Sequence, residues 1–125
     1  MATFKDVDIS VSAATTATAT LTLPDTGDYE LVGVRLNIAS KTGAAATAIL
    51  RLGNVSGFAA GAASQFYESA SVSLASLPIN EDDGRSGTST FFWPDSSKKV
   101  YALLTLNASD TVSASFSVFT VPFRG

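Results

Sequence analysis

The chain has 125 residues, with 11 Asp and Glu against 8 Lys and Arg and neither histidine nor cysteine. A single domain over residues 1–125 fits that size and can bury about two-thirds of its unfolded surface without disulfide or metal. Lacking His and Cys, it cannot build a Ser-His-Asp or Cys-His catalytic set or the usual zinc site. The acidic balance, with scattered basic residues, argues against nucleic acid as a partner.

Taken in chain order, the signal is apolar/polar alternation, the period of a strand with one face buried. A first strand is predicted over Phe4 to Val11, with Val7, Ile9 and Val11 on one face. The next runs from Thr16 to Leu23, with Ala17, Ala19, Leu21 and Leu23 opposed to four threonines. Pro24-Asp25-Thr26-Gly27-Asp28 is a turn, since proline fixes φ and glycine takes a positive value at little cost. Tyr29 to Ala39 is the third strand, and Lys41-Thr42-Gly43 is expected to reverse it into a hairpin with Thr47 to Leu52.

A Gly/Ala loop is predicted from Gly53 to Gln65, then a strand from Gln65 to Ala75. Leu77-Pro78-Ile79 breaks the pattern, and Asn80 to Gly87 is expected to be a polar loop. Thr88 to Trp93 is a short strand ended by Pro94. Val100 to Leu106 and Thr111 to Val121 are predicted to form a final hairpin around Asn107-Ala108-Ser109-Asp110. Near its end the apolar phase changes to Phe119, Val121 and Phe123, by a bulge or by cover on both faces. About eight short strands without a helical segment predict an all-β fold, a single antiparallel β-sandwich of jelly-roll or Greek-key type.

Candidate sites are few. The acids sit mainly in turns and strand ends, where solvation and capping account for them, so no enzyme and no cofactor are expected. Glu81-Asp82-Asp83 could offer oxygen ligands to calcium but lacks the alternating spacing of an EF-hand loop. Phe91-Phe92-Trp93 is the densest aromatic patch, with Phe91 and Trp93 on one face and Phe92 on the other. It reads either as core plus interface or as a sugar platform at Trp93, joined by Tyr67 or Tyr101 and Asp95. Phe58 reads as a partner anchor or as a residue tucked beneath its own loop. Phe4, Phe58, Trp93, Phe119 and Phe123 make up the candidate partner-contact set.

No apolar run approaches the ~18 residues of a spanning helix, so no membrane partner is expected. Met1 to Asp6 leads into alternating residues with no secretory pattern, so no cleaved signal peptide is expected. The Met1-Ala2-Thr3 start, the Ala/Ser/Thr-rich stretch from Ala13 to Leu23, the Tyr29-Glu30-Leu31-Val32-Gly33-Val34-Arg35-Leu36 strand and Trp93-Pro94-Asp95 together resemble tailed-bacteriophage head decoration (cement) proteins and related small virion structural proteins. That resemblance implies a location on the capsid surface of a virion. It also implies contact with the major capsid protein and with copies of itself, as in a homotrimer, and no chemistry. The alternative is a carbohydrate-binding or receptor-binding β-sandwich module with a glycan partner at Trp93.

Overall fold

The computed structural model describes residues 2–84 and 90–122, with side chains from residue 7 onward. Its longest element organises the rest. β9 (Lys99–Pro122) is one bent strand with neighbours along both sides. On one side β1 (Ala2–Asp8) and β2 (Val11–Thr22) lie end to end, running antiparallel to β9 from Ala2 opposite Thr120 to Thr22 opposite Lys99. On the other side β3 (Tyr29–Lys41) and β4 (Thr47–Gly53) do the same, from Tyr29 opposite Pro122 to Gly53 opposite Tyr101.

The chain then returns along the outer side of β4 and β3. β5 (Gln65–Glu68) and β6 (Val72–Ser73) pair with β4; β7 (Ile79–Gly84) and β8 (Phe91–Phe92) pair with β3. All pairings are antiparallel, and the sheet curls into a half-barrel. The all-β expectation holds in that form.

Two expected hairpins are absent, for one physical reason. β3 and β4 do not pair with each other, and both halves of β9 belong to a single strand. Asn107 and Asp110, read from sequence as turn formers, instead bind the backbone of the adjacent 42–47 segment. Asp110 is buried. Its Oδ1 accepts the N–H groups of Thr42 at 3.1 Å, Gly43 at 2.7 Å and Thr111 at 2.7 Å, and its Oδ2 accepts that of Ala45 at 3.1 Å. Asn107 Oδ1 accepts those of Ala46 at 2.7 Å and Thr47 at 3.1 Å. The 42–46 connection thus runs alongside β9 without a regular ladder, its backbone donors held mainly by these two side chains, with Thr42 N–H also reaching the Thr111 carbonyl at 3.2 Å. At the same level β2 shifts register either side of Ala14, and Ala13 takes a positive φ of 48° while its N–H reaches Thr111 Oγ1.

Bending brings the apolar faces of both halves into one core. Even-numbered residues of β9 point inward on both sides of the bend: Val100, Ala102, Leu104, Leu106, Val112, Ala114, Phe116 and Val118 are all buried. Leu31, Leu36, Leu50, Leu52 and Leu74 complete the centre of that core. In β2, Leu21 is buried and Ala17 and Ala19 half-buried, while Thr16, Thr18, Thr20 and Thr22 are exposed, as the alternation requires.

β9 keeps its phase near Phe119, and the bulge lies opposite it, in β3. The register shift lies between Leu31 and Gly33, so Val32 is the extra residue and Phe119 rests half-buried over Gly33. Thr120 stays inward, fully buried, and its Oγ1 has no hydrogen-bond partner among the described residues. An unsatisfied buried hydroxyl is destabilising, whereas a methyl of the same shape is not. Thr120→Val is therefore expected to raise stability by about 1–2 kcal/mol in urea unfolding. An unchanged or lower midpoint would refute that.

Candidate interaction surface

The aromatic run lies at the end of the sheet where β8 pairs with Tyr29 and Glu30. Strand alternation divides it as the sequence suggests. Phe92 is buried, stacked on Phe66 with ring centroids 4.4 Å apart and on Tyr29 at 5.7 Å. Phe91 and Trp93 face out, 40% and 58% exposed. The Trp93 carbonyl accepts a hydrogen bond from Asn54 Nδ2 at 3.0 Å, which ties the aromatic strand to the start of the Gly/Ala loop. A shallow cleft of about 100 Å³ lies between Asn54, Ser64, Gln65, Phe66, Phe91 and Trp93.

Asn54 and Gln65 were not legible as neighbours of Trp93, because nothing local in the chain links positions 54 and 93. Gln65 is already engaged. Its Oε1 accepts the Gly61 N–H at 2.9 Å and its Nε2 donates to Glu68 at 3.3 Å. The cleft is therefore an aromatic shelf whose two side-chain amides already carry hydrogen bonds, able to stack a flat or ring-shaped group but not to enclose it.

The other residues suggested for a sugar platform are not part of it. Tyr67 donates its hydroxyl to Asp83 at 2.8 Å. Tyr101 donates to Asp95 at 2.6 Å, and Asp95 also accepts the N–H groups of Ser97 and Lys99, closing the turn before β9. The Tyr101 hydroxyl, then the Lys99 N–H, hold the Asp95 carboxyl below its ordinary range, and the same contact pushes the Tyr101 phenol up. Glu68 is lowered in turn by its hydrogen bond from Arg51. These are structural tethers.

Phe58 is tucked beneath its own loop, the second of the two readings. Its ring lies on the face of Gly53, where an added Cβ would meet ring carbons at 2.8–3.0 Å. That glycine is needed for the close approach. Phe119 is half-buried, whereas Phe123 and the Phe4 side chain lie outside the described residues. Phe58 is therefore withdrawn from the exposed set, and Trp93 is its most exposed described member.

Asn80 to Gly84 is not a loop: it is β7, an edge strand paired with β3 from Gly33 to Ile38. Adjacent acids on a strand point opposite ways. Asp82 meets Arg35 directly across the ladder, while Asp83 takes the Tyr67 hydroxyl. An exposed ion pair of this kind adds little stability. Among the described residues no three His, Cys, Asp or Glu side chains gather as a metal site. Five clefts on the described surface range from about 100 to 260 Å³, below the ~300 Å³ typical of an enclosing small-molecule pocket.

No protein-family model matches the chain, and no curated protein matches it. The fold and surface by themselves define an antiparallel β module with an exposed aromatic end, in which Glu68, Asp82, Asp83, Asp95 and Asp110 are engaged in structural contacts.

Proposed function

We propose that this chain is a non-enzymatic structural protein of a virion, a decoration (cement) protein that binds the outer capsid surface and stabilises the shell. The carrying observation is the exposed Phe91–Trp93 end of a weakly charged, threonine-rich module in which Asp83, Asp95 and Asp110 serve the sheet and its turns. Such a surface offers contact area and no convergent chemistry. Ligands that bind only the assembled shell stabilise it by mass action.

On this reading the half-barrel is a jelly roll with β9 supplying two strands. One row is then β1–β9–β3–β7/β8 and the other β2–β9–β4–β5/β6, which the pairings support. Partners are the major capsid protein and further copies of the chain. A second reading, a glycan-binding module, rests on Trp93 standing beside Asn54.

Quantitative mass spectrometry of gradient-purified particles from the source tests the proposal. Copies comparable in number to the major capsid protein are expected. Absence from the particles would overturn it, and a Trp93 fluorescence change on titration with glycans would then establish the second reading.

A further inference from the structure

The two open edges of the sheet are built differently. The β7 edge carries Glu81, Asp82 and Asp83, and charged side chains on an edge discourage pairing with another strand. β2, at the opposite edge, has no such guard. From Ile9 to Pro24 the sequence holds no charged residue, and from Thr16 to Thr22 the strand has neither proline nor register shift. Among the described residues its only partner is β9.

Ladder parity fixes which backbone groups are open. Leu23 N–H donates to the Lys98 carbonyl at 2.7 Å. Hydrogen-bonded pairs alternate along an antiparallel ladder, so Leu21, Ala19 and Ala17 bond to β9. The N–H and C=O groups of Thr22, Thr20, Thr18 and Thr16 then point away from it. These open groups recur every second residue over about 20 Å of straight strand.

We propose that this edge pairs antiparallel with the same edge of a second copy, across a two-fold axis at Ala19. A two-fold interface must be self-complementary, and this one is. Thr16 would meet Thr22 of the second copy, Thr18 would meet Thr20, and Ala17 would meet Leu21. Threonine thus faces threonine on the outer side, a favourable cross-strand pair, and apolar faces apolar on the inner side. About eight backbone hydrogen bonds form, and half-buried Ala17 and Ala19 lose their remaining exposure. No charges oppose each other, unlike an acidic β7 edge meeting itself. The strand alone covers less than the ~800 Å² per partner of a standard stable interface, so association in the micromolar range is expected. The inference does not depend on which particle, if any, carries the chain.

Sedimentation velocity on the full chain from roughly 5 to 500 µM tests it, alongside two variants. Thr18→Lys with Thr20→Lys sets lysine against lysine across the axis. Thr20→Pro removes an outward N–H while leaving the β9 ladder intact. Wild type is expected to shift from monomer to dimer with concentration, with at least tenfold weaker association in both variants at unchanged circular dichroism. Amide exchange supplies a readout independent of variant folding. Thr16, Thr18, Thr20 and Thr22 should gain protection only at high concentration, whereas Ala17, Ala19 and Leu21 are protected throughout. A wild-type monomer at all concentrations, a trimer, or threonine amides indifferent to concentration would overturn the proposal.

Discussion

Asp110→Ala is expected to lower the thermal unfolding midpoint by on the order of 10 °C or more, a large effect for one polar side chain. The carboxylate satisfies backbone donors at Thr42, Gly43, Ala45 and Thr111. Alanine would leave those of Gly43, Ala45 and Thr111 unmatched at the bend where the sheet folds over, and an unmet buried donor costs more than a made bond contributes. Asp110→Asn should recover only part of the loss, because one amide position would present N–H to N–H.

The carboxylate also predicts a pH signature. Burial by itself would raise its pKa, but the donors at Ala45, Thr42, Thr111 and Gly43 outweigh burial and hold it below the ordinary 3.8. The group therefore favours the charged form when folded. Its contribution to stability is complete above pH 3.8 and is lost as pH falls through the lower folded value. Wild type should lose stability more steeply than Asp110→Ala below about pH 4. Parallel acid limbs in urea titrations at several pH values would show that Asp110 is not the anchor of the bend.

Phe116→Ala is the second large effect, expected to cost about 3–5 kcal/mol, much of the 5–15 kcal/mol that holds a typical domain. Phe116 is fully buried and lies on β9 between Leu36 of β3 and Val7 of β1. Because β9 runs through both halves of the half-barrel, the loss should be shared. Trp93 fluorescence and far-ultraviolet circular dichroism are expected to report one coincident urea transition, shifted to lower denaturant. Two separated transitions would mean that the halves unfold independently.

Much of this architecture was legible from alternation. The Thr/Ala strand, the Tyr29 strand, the Gly/Ala loop and the division of Phe92 from Phe91 and Trp93 all follow from period two and turn chemistry. The bend was missed because Asn107 and Asp110 are good turn residues, and nothing local shows that their oxygens serve residues 42–47. A signal did exist. With Asn107 to Asp110 as a four-residue loop, Leu106 would oppose Thr111, and cross-strand partners share a face. Val112, Ala114 and Phe116 would then have turned away from Leu104 and Leu106. Even-numbered apolar alternation from Val100 to Val118, interrupted at Asp110 alone but keeping its phase on either side, fits one strand, not that hairpin. β7 was hidden for a different reason: consecutive acids have low strand propensity, and it is the ladder with β3 and the Arg35 and Tyr67 contacts that accommodate them there. The surroundings of Trp93 were not legible, since Asn54 reaches it only through the fold.

The position of β9 also has a consequence for synthesis. It is made after every strand it joins, yet it is the only element paired with β1, β2, β3 and β4 alike. While the nascent chain lengthens, the earlier strands have no common partner, and the pairing of Ala2 with Thr120 waits for almost the whole sequence. Contacts so distant along the chain fold slowly. The sheet can therefore close only once β9 has been made, with that strand inserted as a keystone between two waiting ribbons.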